Sequence, residues 1–506
     1  MNSNTAAVPA VNFKRWPIVM ALLIGAFVSL LNQTLMNVAL PKMMDDLGVG
    51  PTTIQWLTTG FMLVNGVLIP ISAFLMERFT TRMLFISAMV LFSAGTFICA
   101  IGSSFEMVLI GRLVQAAGAG VLMPLMTVVF LTIFPIEKRG QAMGMMGIAM
   151  IFAPAVGPTL SGWIIEHHPW NVLFWIIFPF AILSILLGVF FMKNVTQVGR
   201  PNLDVLSIVL STLGFGGILY GFSEAGSTSW GETDVVVSLI VGVIALGLFL
   251  WRQLKSDKPL LEFRVFRYDM FTLTTIINVV ITMALYAAMI LVPIYLQNIR
   301  GFSPVESGLL LMPGAILMGI MSPITGMIFD RIGARWLAVI GLAITTVTTW
   351  EFSNLTVDTT YTHLILMYTA RMFGMSMLMM PIQTAGLNQL PARLNAHGTA
   401  MTNTLRTISG ALGTALLVTI MSSRTKDKVA EMILAAGINP KDPANAQQVA
   451  LITRDATING IDFAFVVATG ITLVALILSF FIRKVQVNKE GQGTGKEENG
   501  MKPAKA

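Results

Sequence analysis

Fourteen stretches of this chain are long and apolar enough to cross a bilayer core about 30 Å thick, which takes roughly 20 residues of helix. They fall at 17–40, 54–76, 83–103, 107–132, 141–165, 171–192, 205–222, 235–251, 270–297, 306–329, 336–353, 362–388, 398–421 and 462–482. Only 11% of the 506 residues are charged, against about 25% in soluble domains. So little charge cannot cover a water-facing surface, and the chain needs lipid as its solvent. In hydrocarbon every backbone polar group must be paired within the segment, so each stretch is read as a helix. The pattern predicts an all-α membrane protein with 14 transmembrane helices.

An even number of spans puts both termini on one face, and charge decides which face. With the termini cytoplasmic, 22 of the 32 Lys and Arg residues fall in inner segments and seven in outer ones. Five of those seven sit in one long connection, 424–460, where the positive-inside rule is weak. The net charge of +7 therefore reports topology, not nucleic-acid binding. Trp16, Trp251 and Trp336 at inner ends, and Trp56, Trp170, Trp230 and Trp350 near outer ends, read as interfacial belts. Lys14–Arg15 before the first stretch imitates a secretory signal. That stretch is too long for one and is interrupted by Asn32, Gln33 and Asn37, so it is read as a retained first span.

Few soluble features remain. The connection 424–460 is expected to be an external loop carrying short amphipathic helices at 426–436 and 445–455, on either side of Gly437 and Asn439–Pro440. The tail 484–506 is polar and is expected to be disordered and cytoplasmic. Its Gly493-Thr494-Gly495-Lys496-Glu497 run lacks the glycine spacing and hydroxyl residue of a phosphate loop. Cys99 is alone, and the adjacent His167–His168 have no further ligand nearby, so no metal site and no cofactor are expected. No nucleophile, base and oxyanion donor can be assembled, and no channel filter sequence appears, so an enzyme or channel is disfavoured. With no ATPase module in the chain, an ion gradient must drive any transport.

An internal repeat points to transport. Ala73-x-x-x-Glu77-Arg78-x-Thr80-x-Arg82 follows the second span, and Gly326-x-x-x-Asp330-Arg331-x-Gly333-x-Arg335 follows the tenth, 253 residues later (330 − 77). Arg112 in the fourth span and Arg371 in the twelfth are a second correspondence. Spans 1–6 and 9–14 then form two six-helix bundles, with spans 7–8 as an insert. The expected domains are 1–197, the insert and linker 198–263, and 264–483. Parallel repeats around a central site are a transporter architecture. Acids at helix ends can accept from a neighbouring helix N-terminus and from arginines. Glu77, Arg78, Arg82, Asp330, Arg331 and Arg335 are therefore read as a cytoplasmic gate.

These loops resemble the signature of the major facilitator superfamily. Arg112-Leu-Val-Gln115-Ala-Ala-Gly118-Ala-Gly120 resembles its fourth-helix motif, and Ala153-Pro154-x-x-Gly157-Pro158-Thr159-Leu160-Ser161-Gly162 the fifth-helix motif of its antiporters. Leu31-Asn-Gln-Thr34-x-x-Asn37-Val-Ala-Leu-Pro41 is similar to the first helix of fourteen-helix drug:proton antiporters of the EmrB/QacA type. So are Ser303-Pro304-x-x-Ser307-Gly308-Leu-Leu-Leu-Met-Pro313-Gly314 and Gly398-x-x-x-Thr402-Asn403-x-x-Arg406-x-x-x-Gly410. The form of the first helix is most like lincomycin-resistance-type exporters. The resemblance implies the major facilitator fold in a bacterial cytoplasmic membrane. It also implies proton-coupled export of drugs or other amphiphiles by alternating access, with the protein functional as a monomer. An exporter of a specific metabolite or lipid-like compound on the same fold is the alternative.

The residues add detail. Pro154, Gly157, Pro158 and Gly162 combine missing backbone bonds with close approach, as a hinge requires. Arg112 costs about 2.5–3.5 kcal/mol or more inside a bilayer and must face a polar partner. The resemblance implies an acid in the first helix, yet the two positions there are Asn32 and Gln33, amides that cannot titrate. Gln33, then Asn32, is the expected proton site beside Arg112, with Glu224 and Asp462 as alternative carriers. Without a buried acid, neutral or weakly polar amphiphiles fit better than dications. Asn37, Asn65, Gln115, Asn278, Tyr286, Gln383, Asn388, Asn403 and Arg406 are the expected polar lining of the cavity. The methionines around Met372–Met380 supply adaptable apolar surface.

Overall fold

The computed structural model describes residues 15–483 except 197, 200–203, 228, 257, 440–441 and 443–444. The tail 484–506 lies outside the described residues. Every predicted span lies on a helix: α1 (Arg15–Leu47), α2 (Pro51–Arg78), α3 (Thr81–Ile101), α4 (Phe105–Ile133), α5 (Arg139–His167), α6 (Val172–Phe191), α7 (Val205–Ser227), α8 (Thr233–Lys255), α9 (Asp269–Ile294), α10 (Pro304–Ile332), α11 (Ala334–Glu351), α12 (Tyr361–Ser376), α13 (Met379–Leu387), α14 (Asn395–Ala436) and α15 (Ala446–Ser479). Thirteen spans among the described residues are long and apolar enough to cross a membrane, with α12 and α13 counted as one. The expected span not counted is α11, whose Arg335, Glu351 and threonine-rich stretch 345–349 dilute its hydropathy.

Local chemistry sets where these helices begin and break. Thr80, Ser104 and Thr360 accept from the backbone amides of Met83, Met107 and His363, capping α3, α4 and α12. Ser303 and Glu306 close a reciprocal capping box at the start of α10. The twelfth span is cut in two at Met377–Leu378. Pro381 has no N–H for the Met377 carbonyl, which is where the ladder fails.

Two expectations are corrected. Residues 424–460 are not a loop with separate helices: α14 runs unbroken to Ala436 and α15 starts at Ala446. No glycine or proline interrupts 421–436, so the helix continues past the last apolar turn, until Gly437 at φ +62° ends it. Trp170, in the turn between α5 and α6, is buried against Phe174 and offers little ring surface to lipid headgroups.

Two apolar cores follow the repeat. One joins α1–α6 through residues such as Phe61, Phe85, Phe92, Phe130 and Phe174. The other joins α9–α15 through Phe352, Phe465, Leu342 and Leu364. They meet along α5 and α10, where a Cβ on Gly140 or Gly326 would overlap the other helix's backbone carbonyl. The hairpin α7–α8 lies against both α2 and α14. Leu219 fills the space at Gly66, Gly226 abuts Ala415, and the Trp230 indole N–H donates to Thr419 Oγ1 at 2.7 Å. Its base is a separate apolar cluster of Phe74, Phe215, Phe249, Leu261 and Met401. The hairpin's other faces leave Val243, Ile244 and Trp251 exposed, as lipid contact requires.

Candidate functional site

Arg112 is wholly buried in α4 and is held from three helices. Its Nη1 donates to Asn32 Oδ1 on α1 and to Gln115 Oε1 at 3.0 Å, and its Nε donates to the Leu57 carbonyl on α2 at 3.2 Å. The guanidinium stacks 4.2 Å from the Phe61 ring centroid. Gln115 passes the network on, its Nε2 donating to Thr96 Oγ1 on α3 at 2.7 Å. Three neutral acceptors take the place of a carboxylate. One nitrogen, Nη2, has no partner.

Arg371 repeats this arrangement in the second half. It is wholly buried, its Nε donates to Thr349 Oγ1 on α11 at 3.3 Å, and its Nη2 donates to the Ala284 carbonyl on α9 at 2.7 Å. Thr349 lies 253 residues after Thr96 (349 − 96), the same offset as Asp330 from Glu77. The two threonines were not singled out from the sequence, although this offset marks them.

At the end where α1 starts and α15 finishes, each half reaches the other with an acid. Asp330 in the last turn of α10 accepts from the Gly140 and Gln141 amides, at 2.7 and 2.9 Å, in the first turn of α5. There the acid meets both free N–H groups and the positive end of the helix dipole. Glu77 in the last turn of α2 accepts from His397 Nε2 at 2.8 Å, in the first turn of α14. The Nδ1 of His397 accepts from the Glu262 amide at 3.3 Å, which fixes the proton on Nε2. The Gly199 amide donates to the Glu77 carbonyl at 2.7 Å. Both linkers that flank the hairpin are thus tied to this pair. Arg139 adds a bond to Asn388 Oδ1 at 3.0 Å.

The loop arginines expected to join the acids do not. Arg82 donates to the Val189 carbonyl at 2.6 Å within its own half. Arg331 and Arg335 are exposed, with Arg335 lying 5.9 Å from the Trp336 ring. Helix N-termini and a histidine take their place. His397 and Arg139 were missed because nothing in their local sequence distinguishes them.

The proline-bearing stretch of α5 docks on α1 of its own half. Gly157 faces Thr34, whose hydroxyl donates to the Ala153 carbonyl at 3.2 Å, and Ser161 Oγ donates to the Leu35 carbonyl at 2.7 Å. Gly162 instead faces Val305 across the seam. Pro154 and Pro158 lie inside a continuous helix.

Residues 22–414 match the family described as the Major Facilitator Superfamily. The chain belongs to the major facilitator superfamily. It is 49% identical to the MFS-type transporter YhcA of Bacillus subtilis, covering 96% of each chain. It is 46% identical to the lincomycin resistance protein LmrB of Listeria monocytogenes, covering 93% of this chain and 97% of that one. The crystal structure of the human organic anion transporter MFSD10 has the same fold, with a TM-score of 0.62 at 12% identity, covering 92% of this chain and 99% of that one.

Within this superfamily fold the predicted polar residues separate. Gln115 belongs to the Arg112 network. Asn388 belongs to the closed end. Gln383 and Asn403 are buried, with Nε2 and Oδ1 respectively unpaired. Asn65, Asn278, Tyr286 and Arg406 are the ones left partly or wholly accessible. The side chain of Asn37 lies outside the described residues. The expected proton groups do not form one site. Asn32, not Gln33, meets Arg112; Gln33 is half-buried and makes no side-chain hydrogen bond among the described residues. Glu224 is on the hairpin, near Tyr220, and Asp462 accepts from the Leu355 amide at 3.2 Å in the second half. At the base of the hairpin, Arg252 holds the Asp204 carboxyl down at about 2 through its hydrogen bonds, with Ser207 assisting.

Proposed function

We propose that this protein is a proton-driven exporter of drug-like amphiphiles that works by alternating access, with both termini in the cytoplasm of a bacterial cell. The observation that carries the reading is the 46% identity with a lincomycin resistance protein over nearly the whole chain. The geometry supplies the moving parts. The reciprocal acid contacts of Asp330 and Glu77 form the cytoplasmic latch, and the α5–α10 seam is what they hold shut. Opening parts the close α5–α10 packing together with these polar contacts, and leaves each half's arginine network whole. Asn32 stands in for a protonated acid, so Arg112 keeps a fixed neutral partner throughout. Proton coupling then falls first to Asp330, whose surroundings change as the halves part, with Asp462 and Glu224 as alternative carriers.

Inverted vesicles from cells expressing the chain test this. An inside-acid gradient is expected to drive uptake of a fluorescent amphiphile, and nigericin, which exchanges the proton gradient for potassium, is expected to stop it. Uptake indifferent to nigericin would sink the coupling, and unchanged drug sensitivity of the expressing cells would sink the export reading.

A further inference from the structure

We infer that Arg406 is the recognition site for an acidic group on the exported molecule, so that the preferred substrates are amphiphilic anions. This rests on the export reading above and names the class of molecule exported.

Three membrane-embedded arginines behave differently. Arg112 and Arg371 are wholly buried and tied to amides, hydroxyls and carbonyls of their own half. Arg406 is only half-buried, and it reaches across the seam instead: its Nη1 lies 3.7 Å from Met150 Sδ on α5. Arg406 is eleven residues into α14 and Met150 eleven residues into α5. Each is therefore about 16 Å along its helix, at 1.5 Å per residue, which is near the bilayer midplane.

A thioether is a weak acceptor and no match for a guanidinium. No carboxylate stands within ion-pair distance of Arg406 among the described residues. Its Nε and Nη2 make no hydrogen bond among the described residues and are not fully sealed from the surface. Tyr286 on α9 forms the adjoining wall, 41% exposed, with its ring packed where Gly410 leaves room one turn along α14. An unpaired guanidinium in a low-dielectric cavity presents a planar fork of donors that carboxylate, sulfonate and phosphate oxygens fit two at a time. The same charge repels a cationic drug. The Tyr286 ring and Met150 offer apolar contact for the rest of the molecule.

The test uses the full chain in inverted vesicles with three probes of similar size: a fluorescent aryl sulfonate, a neutral dye and the quaternary cation ethidium. The wild type is expected to move the sulfonate more than about tenfold faster than ethidium. In Arg406→Gln the ratio of sulfonate to neutral-dye transport is expected to fall at least about tenfold, with Arg406→Lys between the two. Purified protein in detergent gives a second readout, weaker sulfonate binding by Arg406→Gln measured by fluorescence titration. Equal loss of all three probes would make Arg406 structural and overturn the inference. So would sulfonate binding unchanged in Arg406→Gln. A wild type that moves ethidium or the neutral dye but not the sulfonate would overturn the anion class while leaving export standing. A wild type that moves none of the probes would remove both.

Discussion

Arg112 and Arg371 settle most of the chemistry at the scale of single residues. Their burial follows from the cost of a charge in lipid, so that an internal partner was readable from the sequence. Gln115 was readable too, because three residues along a helix returns to the same face. The choice between Asn32 and Gln33 was not. Adjacent residues point about 100° apart on a helix, and only the crossing of α1 with α4 decides which one meets the arginine. Asn32→Asp is therefore expected to place a carboxylate on Arg112 and to make export depend more steeply on the imposed pH gradient. Gln33→Glu lacks that partner and is expected to leave the slope unchanged; equal slopes for the two variants would show that a carboxylate on Arg112 adds nothing to coupling. The matched threonines give a stability test. Thr96→Val strands Gln115 Nε2, and Thr349→Val strands Arg371 Nε, each inside protein. Each is expected to cost about 1–3 kcal/mol, read as a lower unfolding temperature in detergent. An unshifted midpoint in either variant would show that water replaces the lost hydroxyl.

The elements were legible where apolar length alone defines them, and less so where a helix outlasts its apolar run. Charged residues after 421 read as the end of a span, but a helix does not stop at the membrane surface unless a breaker stops it. The break in the twelfth span was equally hard to see, since Pro381 acts four residues earlier, at Met377. The latch belongs to this scale, because the last turn of α10 meets the first turn of α5 through one carboxylate. Asp330→Ala removes two bonds from backbone amides to a charged acceptor, worth about 1.5–3 kcal/mol each. The equilibrium is expected to move toward an open cytoplasmic side. Cys99 is the only cysteine, so Cys99→Ser with Met150→Cys gives a single reporter beside the cavity. Labelling of that reporter by an impermeant maleimide in inverted vesicles is expected to quicken about tenfold or more in Asp330→Ala. A rate equal to the parent would show that Asp330 does not hold the seam.

At the scale of the whole molecule, the placement of the hairpin across the α2–α14 seam had no sequence signal. Its contacts with the two helices differ in kind. Against α14 it has the Trp230–Thr419 hydrogen bond and the Gly226–Ala415 approach, whereas against α2 it has Leu219 at Gly66 and the Tyr220–Trp56 stack, 6.0 Å between centroids. The hairpin is therefore expected to travel with α14 and slide on α2. A disulfide from Gly147→Cys to Ser322→Cys should stop export until it is reduced, because a Cβ at 147 sits 3.1 Å from that of Ser322 across the other seam. One from Gly226→Cys to Ala415→Cys should leave more than half of the export rate; a full block there would show that the hairpin must part from α14. The linker bonds to Glu77 and His397 reach further than gating. They join a lipid-bathed pair of helices to the proposed latch, so a bilayer that is too thick or too thin is expected to strain it as it tilts the pair. Membrane composition thus becomes an input to the pump, and transport in liposomes of graded acyl length should peak at one thickness, with Glu77→Gln flattening the peak.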